Sequence, residues 1–191
     1  MTPQEYCQDK AAQSGSSFYY SFLSLPDDKR NAIIAVYAFC REVDDIVDST
    51  ADPQIKYTKL QWWQEEINNL FNATPQHPIS RALQPVVSSF NLPQEYFQEV
   101  LDGMLMDLEQ TRYANFKELR LYCYRVASVV GLMSAEIFGY RDRQTLKYAT
   151  DLGMAFQLTN IIRDVYDDIS KNRIYIPMDE LEKFGVSEQN L

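Results

Sequence analysis

Few residues of this chain are of the kinds that build disulfide scaffolds, zinc sites or turn-rich sheets. The 191 residues include six Gly, eight Pro, three Cys and one His. So little Gly and Pro is not typical of collagen-like, low-complexity or turn-rich all-β chains. Cys7, Cys40 and Cys123 form neither a CxxC pair nor a disulfide framework, which favours a reducing compartment. The single His77, in a predicted turn, gives little support to a His-based zinc site or a Ser-His-Asp triad.

Positive charge and long apolar runs are also scarce. The chain has 18 Lys and Arg against 27 Asp and Glu, a formal net charge of −9. This acid excess repels phosphate backbones, so nucleic acid is not an expected partner. No secretory signal is visible at the start, and the apolar-rich stretch from Val126 to Tyr140 is too short to span a bilayer. We therefore expect a cytoplasmic protein with a single domain over residues 1–191.

Helix signals recur along the chain, whereas strand signals are nearly absent. Thr2-Pro3 and Asp52-Pro53 each place a capping residue before Pro at the first helical position. Asp27-Asp28 are predicted to cap a long helix that runs to Asp48. The other predicted helices cover residues 3–13, 53–72, 78–90, 93–111, 116–138 and 143–172, then a loop over 173–177 and a short helix over 178–184. The prediction is an all-α domain.

The last predicted helix is very short. Ser187 is a capping residue, but the chain stops at Leu191, about one turn later. A helix of that length is unstable alone. We therefore expect a C-terminally truncated chain whose remaining helices are missing.

A first acidic set lies near the end of the long helix. Asp44 and Asp48 are four residues apart and share one face, with Cβ atoms roughly 5–6 Å apart. Arg41 lies one turn earlier on that side, and Tyr37 a further turn back. Like charges at this spacing destabilise a helix by only about 0.2–0.5 kcal/mol per pair. One such pair alone is therefore typical of an ordinary solvated acidic face.

A second acidic set repeats this DxxxD spacing on the last long helix. Asn160, Asp164 and Asp168 fall at i, i+4 and i+8, and Gln157 and Lys171 extend the same edge. Two carboxylate sets on facing helices form a negative cleft. Mg²⁺ prefers oxygen ligands and is typically held by one or two carboxylates plus substrate phosphates. The two motifs therefore suggest Mg²⁺ that bridges the protein to a diphosphate and neutralises the charge of the departing group.

Cationic and aromatic residues near the acidic sets suit a diphosphate that carries a long apolar chain. The candidates for direct phosphate contacts, among which Arg offers bidentate geometry, are Arg41, Arg163, Lys171 and Arg173. Most aromatic residues are core in any helical protein, but beside a diphosphate they form a wall for an apolar chain and stabilise a carbocation. Val126 lies on a helix that could line the tail pocket, where small Ala127 and Gly131 leave room.

Four segments of the chain resemble the squalene/phytoene synthase family. They are GSSFYYSFLSLP (15–26), YAFCREVDDIVD (37–48), YCYRVASVVG (122–131) and QLTNIIRDVYDDISKNRIYIP (157–177). The last is the most specific, because its Asn, Arg and two Asp agree in order and spacing. SGSSFYY and AFCREVDDIVD look most like bacterial presqualene diphosphate synthases of the hopanoid pathway, with bacterial phytoene synthases as close relatives.

The resemblance implies a fold and a reaction. The fold is an isoprenoid-synthase-type bundle of helices around a central cavity, with three Mg²⁺ between the two DxxxD motifs and the diphosphates. The reaction is a head-to-head condensation of two farnesyl diphosphates to presqualene diphosphate. The same chemistry on geranylgeranyl diphosphate, giving phytoene, is the alternative. Because the product is apolar, the protein is expected to release it at the inner face of a membrane. A non-catalytic helical binding subunit, with all acids solvated, is the alternative of another class.

The resemblance also assigns roles to residues. The implied metal ligands are Asp44, Asp48, Asn160, Asp164 and Asp168. The implied diphosphate contacts are Arg41, Arg163 and Arg173. The residues implied to shape the substrate cavity are Phe18, Phe22, Val126, Ala127, Gly131, Gln157 and Tyr175. Tyr37 and Tyr122 are placed near the ionising carbon, and Tyr122 is a candidate for assisting loss of the ring-forming proton.

Overall fold

The computed structural model describes residues 1–191 as helices joined by short turns, with no β-strand. This confirms the all-α prediction. The helices are α1 (Pro3–Gln13), α2 (Ser17–Phe22), α3 (Asp27–Asp48), α4 (Pro53–Phe71), α5 (Pro78–Ser89), α6 (Gln94–Glu109), α7 (Phe116–Cys123), α8 (Val129–Phe138), α9 (Gln144–Arg163), α10 (Val165–Ser170) and α11 (Met178–Lys183), with a π-helical turn at Tyr124–Ser128 and a 3₁₀ turn at Glu188–Asn190.

The long helix α3 is the centre of the bundle. It packs against α1, α4, α5, α6 and α8. Ten of its 22 residues are buried, namely Ala32, Ile33, Ile34, Ala35, Val36, Ala38, Phe39, Val43, Ile46 and Val47. Burial of this apolar surface is the main contribution to the stability of the bundle. The remaining side of α3 carries Asp44 and Asp48, which are therefore left free of the core.

Local capping explains where α1 and α4 begin. Thr2 accepts a hydrogen bond from the Glu5 amide in a capping box, and Asp52 accepts one from the Gln54 amide. The predicted cap of α3 is wrong, because Pro26 is the N-cap and no side chain caps the helix. Asp27 and Asp28 lie instead in the first turn, where carboxylates interact favourably with the positive end of the helix dipole.

The helix predicted over 116–138 contains one π-helical turn, between α7 and α8. Ser128 in this turn donates a hydrogen bond to the Thr150 carbonyl of α9 at 2.8 Å. A Cβ atom on Gly153 of α9 would lie 2.7 Å from the Ala127 carbonyl oxygen and from the Ser128 Cα. The absence of a side chain at Gly153 therefore lets the two helices touch backbone to backbone.

Gly153→Ala should destabilise the protein by about 1–3 kcal/mol, because the added methyl overlaps backbone atoms that cannot rotate away. The steric overlap must cost more than this net loss, because replacing Gly with Ala by itself stabilises a helix by about 0.5–1 kcal/mol. Urea unfolding measures the change. The control Asp151→Ala, on the exposed side of the same helix, should stay within about 0.5 kcal/mol of the wild type. Unfolding of Gly153→Ala at the wild-type midpoint would contradict the close approach.

The helix predicted over 143–172 is divided at Asp164, where α9 ends and α10 begins. Two helical hydrogen bonds continue across this point, from the Asp164 amide to the Asn160 carbonyl and from the Asp168 amide to the Asp164 carbonyl, both at 2.9 Å. The i, i+4, i+8 spacing of the second acidic set therefore survives the division. The helix also stops two residues earlier than predicted, at Ser170.

The predicted loop over 173–177 is confirmed as non-helical, and it is held by backbone pairing. The Ile174 amide donates to the Thr111 carbonyl at 3.0 Å, and the Met178 amide donates to the Tyr113 carbonyl at 2.9 Å. These bonds tie the segment after α10 to the segment after α6. The side chains at 173 and 175 are therefore placed by a fixed backbone.

The stretch from Phe116 to Phe138 is long and apolar enough to cross a membrane by length and composition. This corrects the prediction that no stretch of the chain has that character. A buried helix of a globular core passes the same test, so the signal is weak. In this structure Val129, Met133 and Ile137 of the stretch are fully buried in the main hydrophobic core, which accounts for its apolar composition.

His77 is the N-cap of α5, in the predicted turn after α4. Its Nδ1 accepts a hydrogen bond from the Ile79 amide at 3.2 Å, and its ring lies edge-on to Trp63 at 4.8 Å between centroids. The buried carboxylate of Glu66 accepts hydrogen bonds from the backbone amides of Gln76 and His77, each at 2.7 Å. The turn between α4 and α5 is thus held by a neutral imidazole and a buried carboxylate.

Stability should depend on the protonation of His77, because a protonated Nδ1 no longer accepts the capping hydrogen bond. Burial lowers the pKa of His77 in the folded protein, so the unfolded chain, with a pKa of about 6.5, binds the proton first. Stability should therefore fall as the pH drops through about 6.5 towards the folded pKa. Melting temperatures of wild type and His77→Asn, which keeps a non-titrating cap, should diverge over that range. Parallel curves would contradict this role.

Candidate functional site

Asp48 joins the two acidic sets that the sequence predicts. Nη1 of Arg173 donates to Oδ1 of Asp48 at 3.1 Å, and Nζ of Lys171 lies 3.5 Å from Oδ2. Both cations follow α10, so they connect the end of α3 to the second acidic set. The side chain of Asp48 is 42% exposed and that of Arg173 only 14%. The negative charge of Asp48 also acts on Asp168 of the second set, and the solvent-exposed region between the two sets is called the gap below.

The other predicted phosphate-binding cations also contact carboxylates. Arg41 forms ion pairs with Asp44 and Asp45 on α3. Arg163 donates from Nε and Nη2 to the two carboxylate oxygens of Asp164, at 2.7 and 2.6 Å. Exposed pairs of this kind contribute only about 0–1 kcal/mol each, and the same donors suit phosphate oxygens. A polyanion that arrives with its own cations can therefore replace these pairs.

The carboxylates influence one another across the gap. Burial raises the pKa of Asp44, an effect that the neighbouring Arg41 charge opposes. Burial also raises the pKa of Asp168, and the negative charges of Asp164 and Asp48 raise it further. The hydrogen bond from Arg163 lowers the pKa of Asp164. Negative charges that raise the pKa of a neighbouring carboxyl group favour a cation beside that group.

The donor set of the gap suits a hard divalent cation. It consists of carboxylate oxygens and one amide, from Asp44, Asp48, Asn160, Asp164 and Asp168. No three acidic, His or Cys side chains converge closely enough to form a metal cage. Mg²⁺ does not require such a cage, because it keeps several waters and takes substrate phosphates as ligands. The open arrangement therefore fits a metal that is completed by a bound diphosphate.

Two aromatic pairs, called the aromatic wall below, connect the short helix α2 to α3 and α9, the helices on which the acidic sets lie or begin. Phe22 packs edge-on against Tyr37 of α3, with ring centroids 5.8 Å apart. Phe18 packs in the same way against Phe156 of α9, at 5.9 Å, and both rings are nearly half exposed. An apolar surface of this kind suits a prenyl chain. Phe156 was not among the predicted residues, although its position directly before Gln157 was a signal.

Not every predicted cavity residue borders open space. A Cβ atom on Gly131 would lie 2.5 Å from the Ala149 carbonyl oxygen, and one on Gly103 would lie 2.6 Å from Cγ1 of Val126. The room expected at Gly131 is therefore occupied by α9. Ala127 contacts α9 as well, through Gly153. An open depression of about 660 Å³ lies elsewhere, between the 112–118 and 178–188 segments, and no predicted site residue lines it.

A buried tyrosine cluster lies behind Arg173. The hydroxyl groups of Tyr122 and Tyr175 donate to the two oxygens of Asp107, at 3.0 and 2.7 Å. The rings of Tyr122 and Tyr175 stack at 5.1 Å, and Tyr113 stacks on Tyr175 at 5.8 Å. Tyr175, predicted to shape the substrate cavity, is thus buried and bonded to the protein. Burial raises the pKa of Tyr122, which keeps its hydroxyl protonated.

Asp107 is the functional candidate that sequence reasoning missed. Burial raises its pKa to about 6, an effect that the hydrogen bond from Tyr175 opposes. The signal available in the sequence was a single acid within the apolar run Met104-Leu105-Met106-Asp107-Leu108. Such an acid on a core helix is unusual, because a buried charge is costly unless it is hydrogen-bonded.

The chain is similar to known proteins over nearly its whole length. A family model described as squalene/phytoene synthase matches residues 11–191. The 15-cis-phytoene synthase of Synechococcus elongatus is 37% identical over 98% of this chain and 65% of its own length. Phytoene synthase 2 of Solanum lycopersicum is 38% identical over 97% of this chain and 62% of its own length. The chain thus spans less than two thirds of the length of these curated relatives.

Two solved structures share the fold. The squalene synthase HpnC from Alicyclobacillus acidocaldarius aligns with a TM-score of 0.89 and 31% identity, over 98% of this chain and 71% of its own. A dehydrosqualene synthase, solved in complex with a ligand, aligns with a TM-score of 0.89 and 33% identity, over 98% of this chain and 65% of its own. The bundle described above is therefore the fold of these enzymes.

Proposed function

Because the chain belongs to the squalene/phytoene synthase family, we propose that it condenses two prenyl diphosphates head to head in a Mg²⁺-dependent reaction. The observation that carries this proposal is that Lys171 and Arg173, which follow the second acidic set along the chain, both pair with Asp48 of the first set. Carboxylates and cations interleaved in one open gap suit a diphosphate that binds together with hard metal ions. The exposed aromatic wall beside the gap supplies the apolar surface that a prenyl chain requires.

Each group in the gap has a proposed task. The four Asp side chains of the two sets, with Asn160 in support, would hold Mg²⁺, which would supply Lewis-acid neutralisation of the charge on the departing diphosphate. Arg41, Arg163, Lys171 and Arg173 bind phosphate oxygens in place of their present carboxylate partners. Aromatic rings of the wall, including Tyr37, exclude water from the allylic cation and stabilise its charge.

The proposed reaction forms a cyclopropane. The carbon–oxygen bond of one farnesyl diphosphate breaks, and its electron pair leaves with the diphosphate, so an allylic cation remains. The double bond of the second farnesyl diphosphate attacks this cation, and transfer of a proton from the resulting cation to the released diphosphate closes the ring of presqualene diphosphate. The second substrate keeps its own diphosphate. Tyr122 is proposed to lie close to the departing proton.

Farnesyl diphosphate is the proposed substrate, and geranylgeranyl diphosphate is the second candidate. The segments 15–26 and 37–48 resemble presqualene diphosphate synthases, and the two solved structures are of a squalene synthase and a dehydrosqualene synthase. The curated relatives described above are named phytoene synthases, which favours the longer substrate. The two substrates differ by one isoprene unit, so the length of the apolar surface would discriminate between them.

Product analysis tests the proposal. The protein is incubated with farnesyl or geranylgeranyl diphosphate, with Mg²⁺ or with EDTA, and without NADPH. Presqualene diphosphate formed from farnesyl diphosphate only with Mg²⁺ is the expected result. Phytoene formed only from geranylgeranyl diphosphate would replace the proposed substrate with the second candidate. No product, together with no binding of inorganic pyrophosphate in calorimetry, would support a non-catalytic helical subunit instead.

A further inference from the structure

Asp107 is an acid whose surroundings are unusual for the core of this protein. The residue is 7% exposed and forms no ion pair with a Lys or Arg, although the Arg173 charge is near enough to lower its pKa. Its hydrogen-bond donors are the hydroxyl groups of Tyr122 and Tyr175. A buried carboxylate with two neutral donors is costly compared with a packed apolar side chain. An apolar residue at position 107 would therefore stabilise the core more than Asp107 does, so stability alone does not account for this carboxylate.

The segment after α10 connects Asp107 to the acidic gap. Its backbone is extended where Ile174 pairs with Thr111, and residues two apart in extended chain point to the same side. On that side Arg173 reaches Asp48 and Tyr175 reaches Asp107. Ile174 between them is buried. The bond between Asp107 and Tyr175 thus holds the same face of the segment that presents Arg173 to the gap.

We propose that Asp107 is a positioning residue, which holds Arg173 at the diphosphate site through Tyr175 and holds the Tyr122 hydroxyl in place directly. This inference rests on the proposed function, because it concerns the same site. Asp107 forms no hydrogen bond or ion pair with the acidic sets or their cations, and it acts through Tyr175, which follows Arg173 by two residues in the same segment. Its effect should therefore appear in diphosphate binding and turnover, and not only in folding.

Glu66 is the matched control for a structural role. Its carboxylate is also buried, at 1% exposure, and accepts hydrogen bonds from the backbone amides of Gln76 and His77, with the side-chain amide of Asn69 as a third donor at 3.5 Å. It lies in the turn between α4 and α5, and none of its hydrogen-bond partners belongs to the acidic gap. Glu66→Gln should lower the melting temperature without changing kcat/KM.

The test compares wild type, Asp107→Asn, Tyr175→Phe, the double variant and Glu66→Gln. Asn can accept one tyrosine hydroxyl but not both, and Phe removes a hydroxyl while keeping the ring. Each single change at 107 or 175 should lower kcat/KM by about 10- to 100-fold, the effect typical of residues that orient a site. The double variant should lose little more than Asp107→Asn, because both changes break one linkage. Melting temperatures show which variants are folded at the assay temperature.

Calorimetry with inorganic pyrophosphate and Mg²⁺ gives a readout without turnover. We expect Asp107→Asn to raise the pyrophosphate Kd about tenfold and Glu66→Gln to leave it unchanged. If the wild type is active and Asp107→Asn keeps the wild-type kcat/KM and pyrophosphate Kd, this inference is overturned while the proposed function stands. Losses that multiply in the double variant would overturn the linkage through Tyr175. A wild-type protein that neither turns over prenyl diphosphate nor binds pyrophosphate would overturn the proposed function and, with it, this inference.

Discussion

Asp48→Asn is expected to lower turnover of prenyl diphosphate by about 1,000-fold or more. Asn keeps the size of the side chain but removes the negative charge that faces Arg173 and Lys171. With Asp48 as a Mg²⁺ ligand, the substitution also weakens the stabilisation of the negative charge that develops in the transition state, which is worth several kcal/mol. A loss of about 4 kcal/mol corresponds to a 1,000-fold lower rate. Steady-state rates with saturating Mg²⁺ measure the effect.

Asp167→Asn provides the matched control for this experiment. Asp167 is exposed on α10, between Asp164 and Asp168, and it takes part in no ion pair. The same change of charge there should alter the rate by no more than about twofold, because exposed charges are strongly screened. The circular dichroism and melting temperature of Asp48→Asn should remain close to those of the wild type, since Asp48 itself is 42% exposed and an Asn oxygen can still accept the hydrogen bond from Arg173. A fully active, folded Asp48→Asn would refute the assignment of the gap.

Arg173→Ala should produce the second largest loss, a fall of about 10- to 100-fold in kcat/KM. Its guanidinium is mostly buried and aimed at Asp48, and a hydrogen bond between charged groups contributes about 1.5–3 kcal/mol. Arg173→Lys should recover only part of the loss, because an ammonium cannot donate two parallel hydrogen bonds to a phosphate. Initial rates over a range of substrate concentrations separate the change in KM from the change in kcat.

Arg120→Ala is the control for Arg173. Arg120 lies exposed on α7 and takes part in no ion pair. Its removal also lowers the positive charge by one, but away from the gap, so kcat/KM should stay close to the wild-type value. An equal fall in both variants would mean that the overall charge of the protein, and not a phosphate contact at Arg173, accounts for the effect.

Short-range signals were sufficient to predict most of the helices. The Thr2 and Asp52 caps involve residues within three positions of each other, so the sequence contains all of their parts. The π-helical turn was not predictable in this way. It accompanies direct contact of its backbone with Gly153 of α9, which follows it by about 25 residues. The spacing of apolar residues along the chain does not reveal the one extra residue that a π-helical turn contains.

The acidic sets could be predicted because each depends on spacing along one helix. Asp44 and Asp48 share a face in any α-helix, and the second set repeats the pattern. Asp107 could not be assigned in the same way. Its partners Tyr122 and Tyr175 follow it by 15 and 68 residues, so its role depends on how three separate segments pack. An isolated acid in an apolar run indicates only that some donor must be near it.

The sequence by itself therefore determined the all-α class, most helix boundaries, the two acidic sets and the family, because these depend on neighbours along the chain. Only the tertiary structure decided that Asp48 meets Arg173, that Gly131 makes room for α9 and not for a substrate, and that Tyr175 is bound to Asp107. The physical reason is distance along the chain. Capping and helical spacing act within a few residues, whereas hydrogen bonds and steric contacts between segments exist only after the hydrophobic core has brought those segments together.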